Sequence, residues 1–236
     1  MIIYVNGDSH SAAAEAVNPH CFAEDDEFYW GLGRRPHPEN ERVSYGCEIA
    51  NALFAVLICD AEAASSNTRI MRTTRAWLDA NADQLKDTFV ILQWSTWERQ
   101  EWLIDNVYYQ VNASGIDHVP HSHVDQYKEF IATVNWHECE HQWHESIWQF
   151  HQELKQHNVR HVMFNGNNHF ERIHTKHDWN GHYMNPYSKD HTYNHVLKQH
   201  GFGTVNPNSW HFGAEAHCFW AKYLLQYCID NNLVKP

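Results

Sequence analysis

Three short apolar runs constrain this chain more than anything else in it. They are Ile2-Ile3-Tyr4-Val5 and the stretches 88–94 and 159–165, the first two rich in β-branched residues and each ending in a polar turn. Runs of that length and composition predict strands buried on both faces. Between them, apolar residues recur at helical spacing over 45–57, 67–78, 124–157, 193–199 and 212–231, and 58–64 holds a further short strand. Strands alternating with helices imply a mostly parallel sheet covered on both sides, an α/β three-layer sandwich. At 236 residues the chain has enough material for one such domain, and no linker divides it. Residues 1–236 are therefore expected to form a single domain, with a loop insertion near 18–42 and a His-rich insertion near 106–123.

The turn after the first run reads Asn6-Gly7-Asp8-Ser9-His10-Ser11 and leads into an alanine-rich segment that predicts a helix over 12–17. A serine on a sharp strand-to-helix turn lies at the carboxyl edge of the sheet, where open α/β proteins place their ligands. Amides at a helix start can also stabilise developing negative charge there. The competing reading is plainer: Asp8, Ser9 and Ser11 are all good helix caps. Two other segments belong at the same edge. Asn165-Gly166-Asn167-Asn168 ends a strand, and Trp94-Ser95-Thr96-Trp97-Glu98-Arg99 follows the central one. Trp94, Trp97, Asn167 and Asn168 are the candidate substrate contacts, against the alternative that the asparagines only form a tight turn. Arg99 either holds an anionic group or pairs with Glu98, Glu101 or a nearby carboxylate. Arg69, Arg72 and Arg75 recur on one helix side and read as a solvated face.

Near the other end, Asn208-Ser209-Trp210-His211 precedes an amphipathic helix. A Gly-Asp-Ser turn after the first strand, combined with a histidine just before the last helix, resembles the SGNH (GDSL-type) hydrolase family. The resemblance spans nearly the whole chain through short motifs and implies a flavodoxin-like fold. It implies that Ser9 is the nucleophile of an acyl transfer and His211 its general base. It also implies an oxyanion site formed by the Ser9 amide with Ser65 or Ser66 and Asn67, which fall where the second family block belongs. Three departures stand out. Asn208 occupies the position of the aspartate that would orient His211; Ser95-Thr96-Trp97-Glu98 replaces the block carrying an asparagine donor; and Ser65 or Ser66 stands where a glycine is usual. Asn208 is neutral, so it would orient the base without stabilising its cation.

A rival signal lies in the long helical segment. His137-Glu138-Cys139-Glu140-His141 matches His-Glu-x-x-His, with two histidines one turn apart and a glutamate available as base. His144 and His151 extend that stripe, and at 3.6 residues per turn they should flank the apolar face of Trp136, Trp143, Ile147, Phe150 and Leu154. No third ligand is set by spacing, although Glu153 and Glu171 are available. A second group, His118, His121 and His123, sits in a Pro120 loop, where Ser122 would cap the next helix.

The net charge of −12, from 17 Lys and Arg against 29 Asp and Glu, argues against a protein that tracks a nucleic-acid backbone. The 21 histidines make that charge strongly pH-dependent below neutrality. Six cysteines show no Cys-x-x-Cys pair, and the chain start lacks a signal-peptide pattern, so reduced thiols and a cytoplasmic setting are expected. The longest apolar run, 52–59, is too short to span a bilayer. The expected activity is hydrolysis of a small or carbohydrate-linked O-acyl ester, with no cofactor and no catalytic metal. The alternatives are an SGNH-fold binding module without turnover, and a zinc hydrolase built on His137 and His141.

Overall fold

The computed structural model describes residues 1–22, 35–113, 115 and 119–234. Its main sheet has four parallel strands: β1 (Ile2–Asn6), β2 (Val56–Cys59), β3 (Thr88–Trp94) and, after a two-stranded insertion, β6 (Arg160–Asn165). Their order is β2-β1-β3-β6, with β1 pairing Ile3 to Phe89 and β3 pairing Leu92 to Met163. Side-chain alternation divides the core into two layers. Ile3, Val5, Phe89, Ile91, Val162 and Phe164 face helices α2 (Tyr45–Ala52), α6 (Tyr193–Gln199) and α7 (Ala214–Asp230). Tyr4, Val90, Leu92, Trp94 and Met163 face α3 (Asn67–Ala80) and α5 (Trp136–Gln156). The expected α/β architecture is observed, and β3 is buried along its whole length because both of its faces are covered.

Several elements differ from the sequence expectation. Residues 9–16 form successive turns and not a helix. The first turn closes with the amides of Ser11 and Ala12 on the Asp8 carbonyl, but Ala13 and Glu15 then adopt φ of 51° and 62°. Left-handed residues cannot continue a right-handed helix. The second strand begins at Val56, two residues before the expected 58, since α2 ends at Ala52. The long helical segment is two helices, α4 (Val124–Thr133) and α5, separated where Asn135 turns extended and caps α5 through the His137 and Glu138 amides. Its N-terminal neighbour α4 is capped at His123 without a side-chain bond; Ser122 bonds His123 instead.

An antiparallel hairpin, β4 (Gln100–Ile104) and β5 (Val107–Val111), was not expected. Its two-residue turn, Asp105-Asn106, has both φ values positive, matching the twist of the flanking strands. Glu101 of β4 takes two hydrogen bonds from the Arg72 guanidinium, at 2.7 and 2.8 Å, and so ties the hairpin to α3. The arginines of α3 are thus all paired, Arg69 in the interior and Arg72 and Arg75 still facing solvent. Arg69 is buried against Glu62 at 2.9 Å, and Arg75 meets Glu153. The short helix α1 (Pro38–Glu41) closes the described part of the 18–42 insertion; Gly31 and Gly33 of that insertion, like His118, lie outside the described residues. All six cysteines are free thiols. Among the described residues, no helix is long and apolar enough to cross a membrane.

Candidate active site

At the carboxyl edge of the sheet the ends of β1, β3 and β6 meet around Gln93. Its Oε1 accepts from the Asp8 amide and the Ser11 hydroxyl, each at 3.0 Å, and its Nε2 donates to the Trp94 carbonyl. A β-carbon at Gly7 would lie 2.3 Å from Ser11 Oγ, and one at Gly166 would lie 2.4 Å from Gln93 Nε2. Both glycines are therefore required by the close approach of the Gln93 amide. Asp8 completes this floor. It is fully buried and accepts from the His10 amide, the Ser95 hydroxyl and Arg99 Nη1 at 2.9–3.1 Å. Burial alone would raise its pKa; the charges of His10 and Arg99 and these bonds outweigh that and hold it below the usual carboxylate range. Asp8 fixes the turn, and Arg99 is the partner that satisfies it.

Above this floor lies a cavity of about 560 Å³, lined among the described residues by Ser9, His10, Asn167, Arg99, Asn194 and His211 together with side chains of the walls. The Ser9 hydroxyl accepts and donates no hydrogen bond within the described residues, and it does not reach His211 at hydrogen-bond distance in this structure. His211 is held from behind. Its Nδ1 meets Glu15 Oε2 at 2.5 Å, and the same oxygen accepts from Ser209 Oγ at 2.6 Å. Ser209 Oγ in turn accepts from the His211 amide. Burial pushes the Glu15 pKa up, but the hydrogen bonds from Ser209 and His211 prevail and keep it ionised below the usual glutamate value. The left-handed backbone at Ala13 and Glu15 places this carboxylate; such strain costs on the order of 1 kcal/mol per residue and persists only where surrounding contacts enforce it.

His10 packs between Tyr193 and His211, with its Nε2 near the side-chain amides of Asn167 and Asn194 at 3.3 and 3.4 Å. Burial drives its pKa down to about 4, against the pull of Asp8, so it is a neutral ring beside Ser9 at pH 7.

Of the residues singled out in the sequence, Ser9, Arg99, Asn167 and His211 line this cavity, whereas Asn208, Ser65, Ser66, Asn67, Trp94, Trp97 and Asn168 do not. Asn208 is exposed on the loop and donates its amide to Asn206; the acid on His211 is Glu15. Asn67 is fully buried and clasps the backbone of Ser95, accepting from its amide at 2.8 Å. Ser66 caps α3 by accepting from the Arg69 amide, and Ser65 is buried beneath Arg69 and Arg99. Trp94 belongs to the core. Trp97 stacks on Phe170 with centroids 4.7 Å apart, and it shares a neighbouring depression with Asn168. Glu15, Asn194, Lys189 and Lys198 were missed. An acid six residues after a candidate serine is a weak signal, and a predicted helix there turned it elsewhere.

The zinc motif does not assemble. His137 and His141 are exposed, and His137 contacts the Arg172 guanidinium. Glu140 is buried, accepting from the Arg172 amide, while Glu153 is taken by Arg75. His144 and His151 are buried and do not flank the apolar face. Among the described residues, the one group with metal-ligand proximity is His144, Glu145 and His177. Glu145 Oε1 meets His144 Nδ1 at 3.0 Å and His177 Nε2 at 3.1 Å. The Tyr187 hydroxyl oxygen already accepts from the His177 amide and Trp179 Nε1, so its proton goes to His144 Nε2. That leaves the His144 proton on Nδ1, pointing at Glu145, where a metal would need a lone pair. The cluster is satisfied as a hydrogen-bond network.

Residues 33–191 match the profile of DUF6071, a family of unknown function. The chain belongs to this family. The segment by which it is recognised as a DUF6071 protein contains Arg99, Asn167 and Lys189 and stops short of His211; Ser9 and Glu15 precede it. No curated protein matches the chain. Among solved structures, this DUF6071 protein is similar to a G-D-S-L family lipolytic protein from Desulfitobacterium hafniense DCB-2, at 9% identity and TM-score 0.45, over 96% of this chain and 98% of that one. An acetyl xylan esterase from Butyrivibrio proteoclasticus is 15% identical at TM-score 0.48, covering 97% of this chain and 63% of its own. A psychrotrophic esterase from Pseudoalteromonas sp. is 9% identical at TM-score 0.44, over 97% of both chains. These likenesses are distant, and the chemistry of the DUF6071 site follows from its own side chains.

Proposed function

We propose that the protein is a serine esterase acting on a small or carbohydrate-linked O-acyl ester. The observation that carries this reading is the Glu15–His211 pair: a carboxylate on Nδ1 of a histidine that lines the same cavity as Ser9. That arrangement fixes the tautomer with Nδ1 protonated and leaves Nε2 free to accept a proton. His211 takes the Ser9 proton as Ser9 Oγ bonds to the acyl carbon. The ester C–O bond then breaks, and the proton passes from His211 to the leaving alcohol. Water, deprotonated by His211, attacks the acyl-enzyme and releases the acid, restoring Ser9. The Ser9 amide and the Asn167 side-chain amide are the proposed donors to the oxyanion, in place of Ser65, Ser66 and Asn67.

The second reading, a binding module without turnover, has one observation in its favour: the Ser9 hydroxyl and His211 are not hydrogen-bonded. Apo catalytic bonds are often long and tighten with substrate, so the separation alone does not decide. Turnover of p-nitrophenyl acetate and labelling by a serine-reactive phosphonate separate the two. The esterase shows both and loses both in Ser9→Ala; a protein that binds acetylated sugars but shows neither is the binding module.

A further inference from the structure

The charged residues that line the cavity come from two parts of the chain. On the β3 side stand Glu98 and Arg99, and the guanidinium is committed to Asp8 at 3.1 Å. Glu98 is the single carboxylate among the described lining residues, and its Oε1 accepts from the Thr96 hydroxyl. The 189–198 segment contributes Lys189, His195 and Lys198, and Lys189 also borders the neighbouring depression with Trp97 and Asn168. His195 pairs with Asp190, which does not line the cavity. Lys189 and Lys198 are exposed, and neither has a carboxylate partner among the described residues. The Lys198 ammonium lies 5.9 Å from the ring centre of Trp210, itself 72% exposed at the rim. In a chain of net charge −12, two ammonium groups from one segment, without a carboxylate partner among the described residues, give the cavity a local field of the opposite sign.

We infer that the alcohol half of the substrate carries an oxyanion, a carboxylate or a phosphate, held by Lys189 and Lys198. The assignment to the alcohol half rests on the esterase reading above. His211 returns its proton to the leaving oxygen, so the alcohol departs on the His211 side, where Lys198 lies beside Trp210, the residue before His211, and Lys189 stands at the other end of the same segment. Trp210, beside Lys198, offers an aromatic face to the uncharged body of that alcohol.

The test compares 4-acetoxybenzoate with 4-acetoxybenzamide, which share an acyl group and differ in the charge of the leaving phenol. At low ionic strength the wild type should prefer the anion by about tenfold in kcat/KM, as two solvent-facing ion pairs can supply. The ratio should fall towards one in Lys189→Gln/Lys198→Gln and on addition of salt. A third ester, 4-acetoxyphenyl phosphate, distinguishes phosphate from carboxylate by which gives the larger lysine-dependent ratio. A wild-type ratio of one or less, or a ratio that survives the double substitution, overturns the inference. Calorimetric titration of Ser9→Ala with 4-hydroxybenzoate and 4-hydroxybenzamide reads binding apart from turnover. Lysine-dependent binding of the anion by a protein that cleaves none of the esters sinks the esterase reading and keeps the anion site. Absence of selective anion binding removes the site whether or not esters are cleaved.

Discussion

A histidine base works only when its far nitrogen is held, and here the holder is a glutamate six residues after the proposed nucleophile. Ser9 and Glu15 follow the same strand end within one run of turns, so the proposed nucleophile and the acid that holds His211 are coupled through a single piece of backbone. Glu15→Gln should lower kcat on p-nitrophenyl acetate by roughly a hundredfold to ten-thousandfold, with little change in KM, because the charge that stabilises the imidazolium is gone. Asn208→Ala should stay within about twofold of wild type, and Asn208→Asp should not rescue Glu15→Gln. Wild-type kcat in Glu15→Gln would remove Glu15 from the chemistry. None of this was legible in the sequence. The alanine-rich run predicts a helix, and nothing local announces left-handed backbone at Ala13 and Glu15. The Gly-Asp-Ser turn and His211 were legible because their residue types are scarce in combination. Ser65, Ser66 and Asn67 were misplaced because small polar residues that cap helices and clasp loops look, in sequence, like oxyanion donors.

At the level of elements, α5 shows what many histidines do when the fold buries them. His161 donates from Nδ1 to the Val159 carbonyl, so its Nε2 accepts from His151 Nδ1 at 2.8 Å; the His182 ring stacks on it. Burial holds His161 near 3 and His151 near 4, with the neighbouring charge of His182 adding to the effect, and His182 is lowered as well. Each of these rings is neutral when folded and takes up a proton near pH 6.5 when unfolded. The unfolded state therefore binds more protons below that pH, and stability falls as pH drops from about 6.5 towards 4. Each ring still neutral at pH 5 costs up to roughly 2 kcal/mol relative to pH 8. Urea midpoints measured from pH 8 to pH 4.5 should decline through this window, and a flat profile would contradict the burial of these rings. The break before α5 has its own test: Asn135→Ala should cost about 1 kcal/mol in the same urea titration. Periodicity revealed the strands and most helices because their buried faces are continuous. It merged α4 with α5, since a cap in the middle of two matching stripes leaves the period intact, and it passed over the β4–β5 hairpin, where few residues alternate cleanly.

In the molecule as a whole, the floor of the cavity and its walls are made of different material. The floor is strand ends knitted by Gln93, with glycines on both neighbouring strands to admit it. Gly7→Ala and Gly166→Ala should each destabilise by about 1–3 kcal/mol through overpacking, read as a lowered thermal midpoint. A Gly166→Ala protein as stable as wild type would show that the Gln93 amide has room to move. The walls follow the strands: residues 96–99 and 112–113, the 189–198 segment that runs into α6, and the loop before α7 that carries His211. Lineages carrying this scaffold can thus vary what the cavity admits by editing its walls wherever His211 keeps its place, while the floor beneath passes on unaltered.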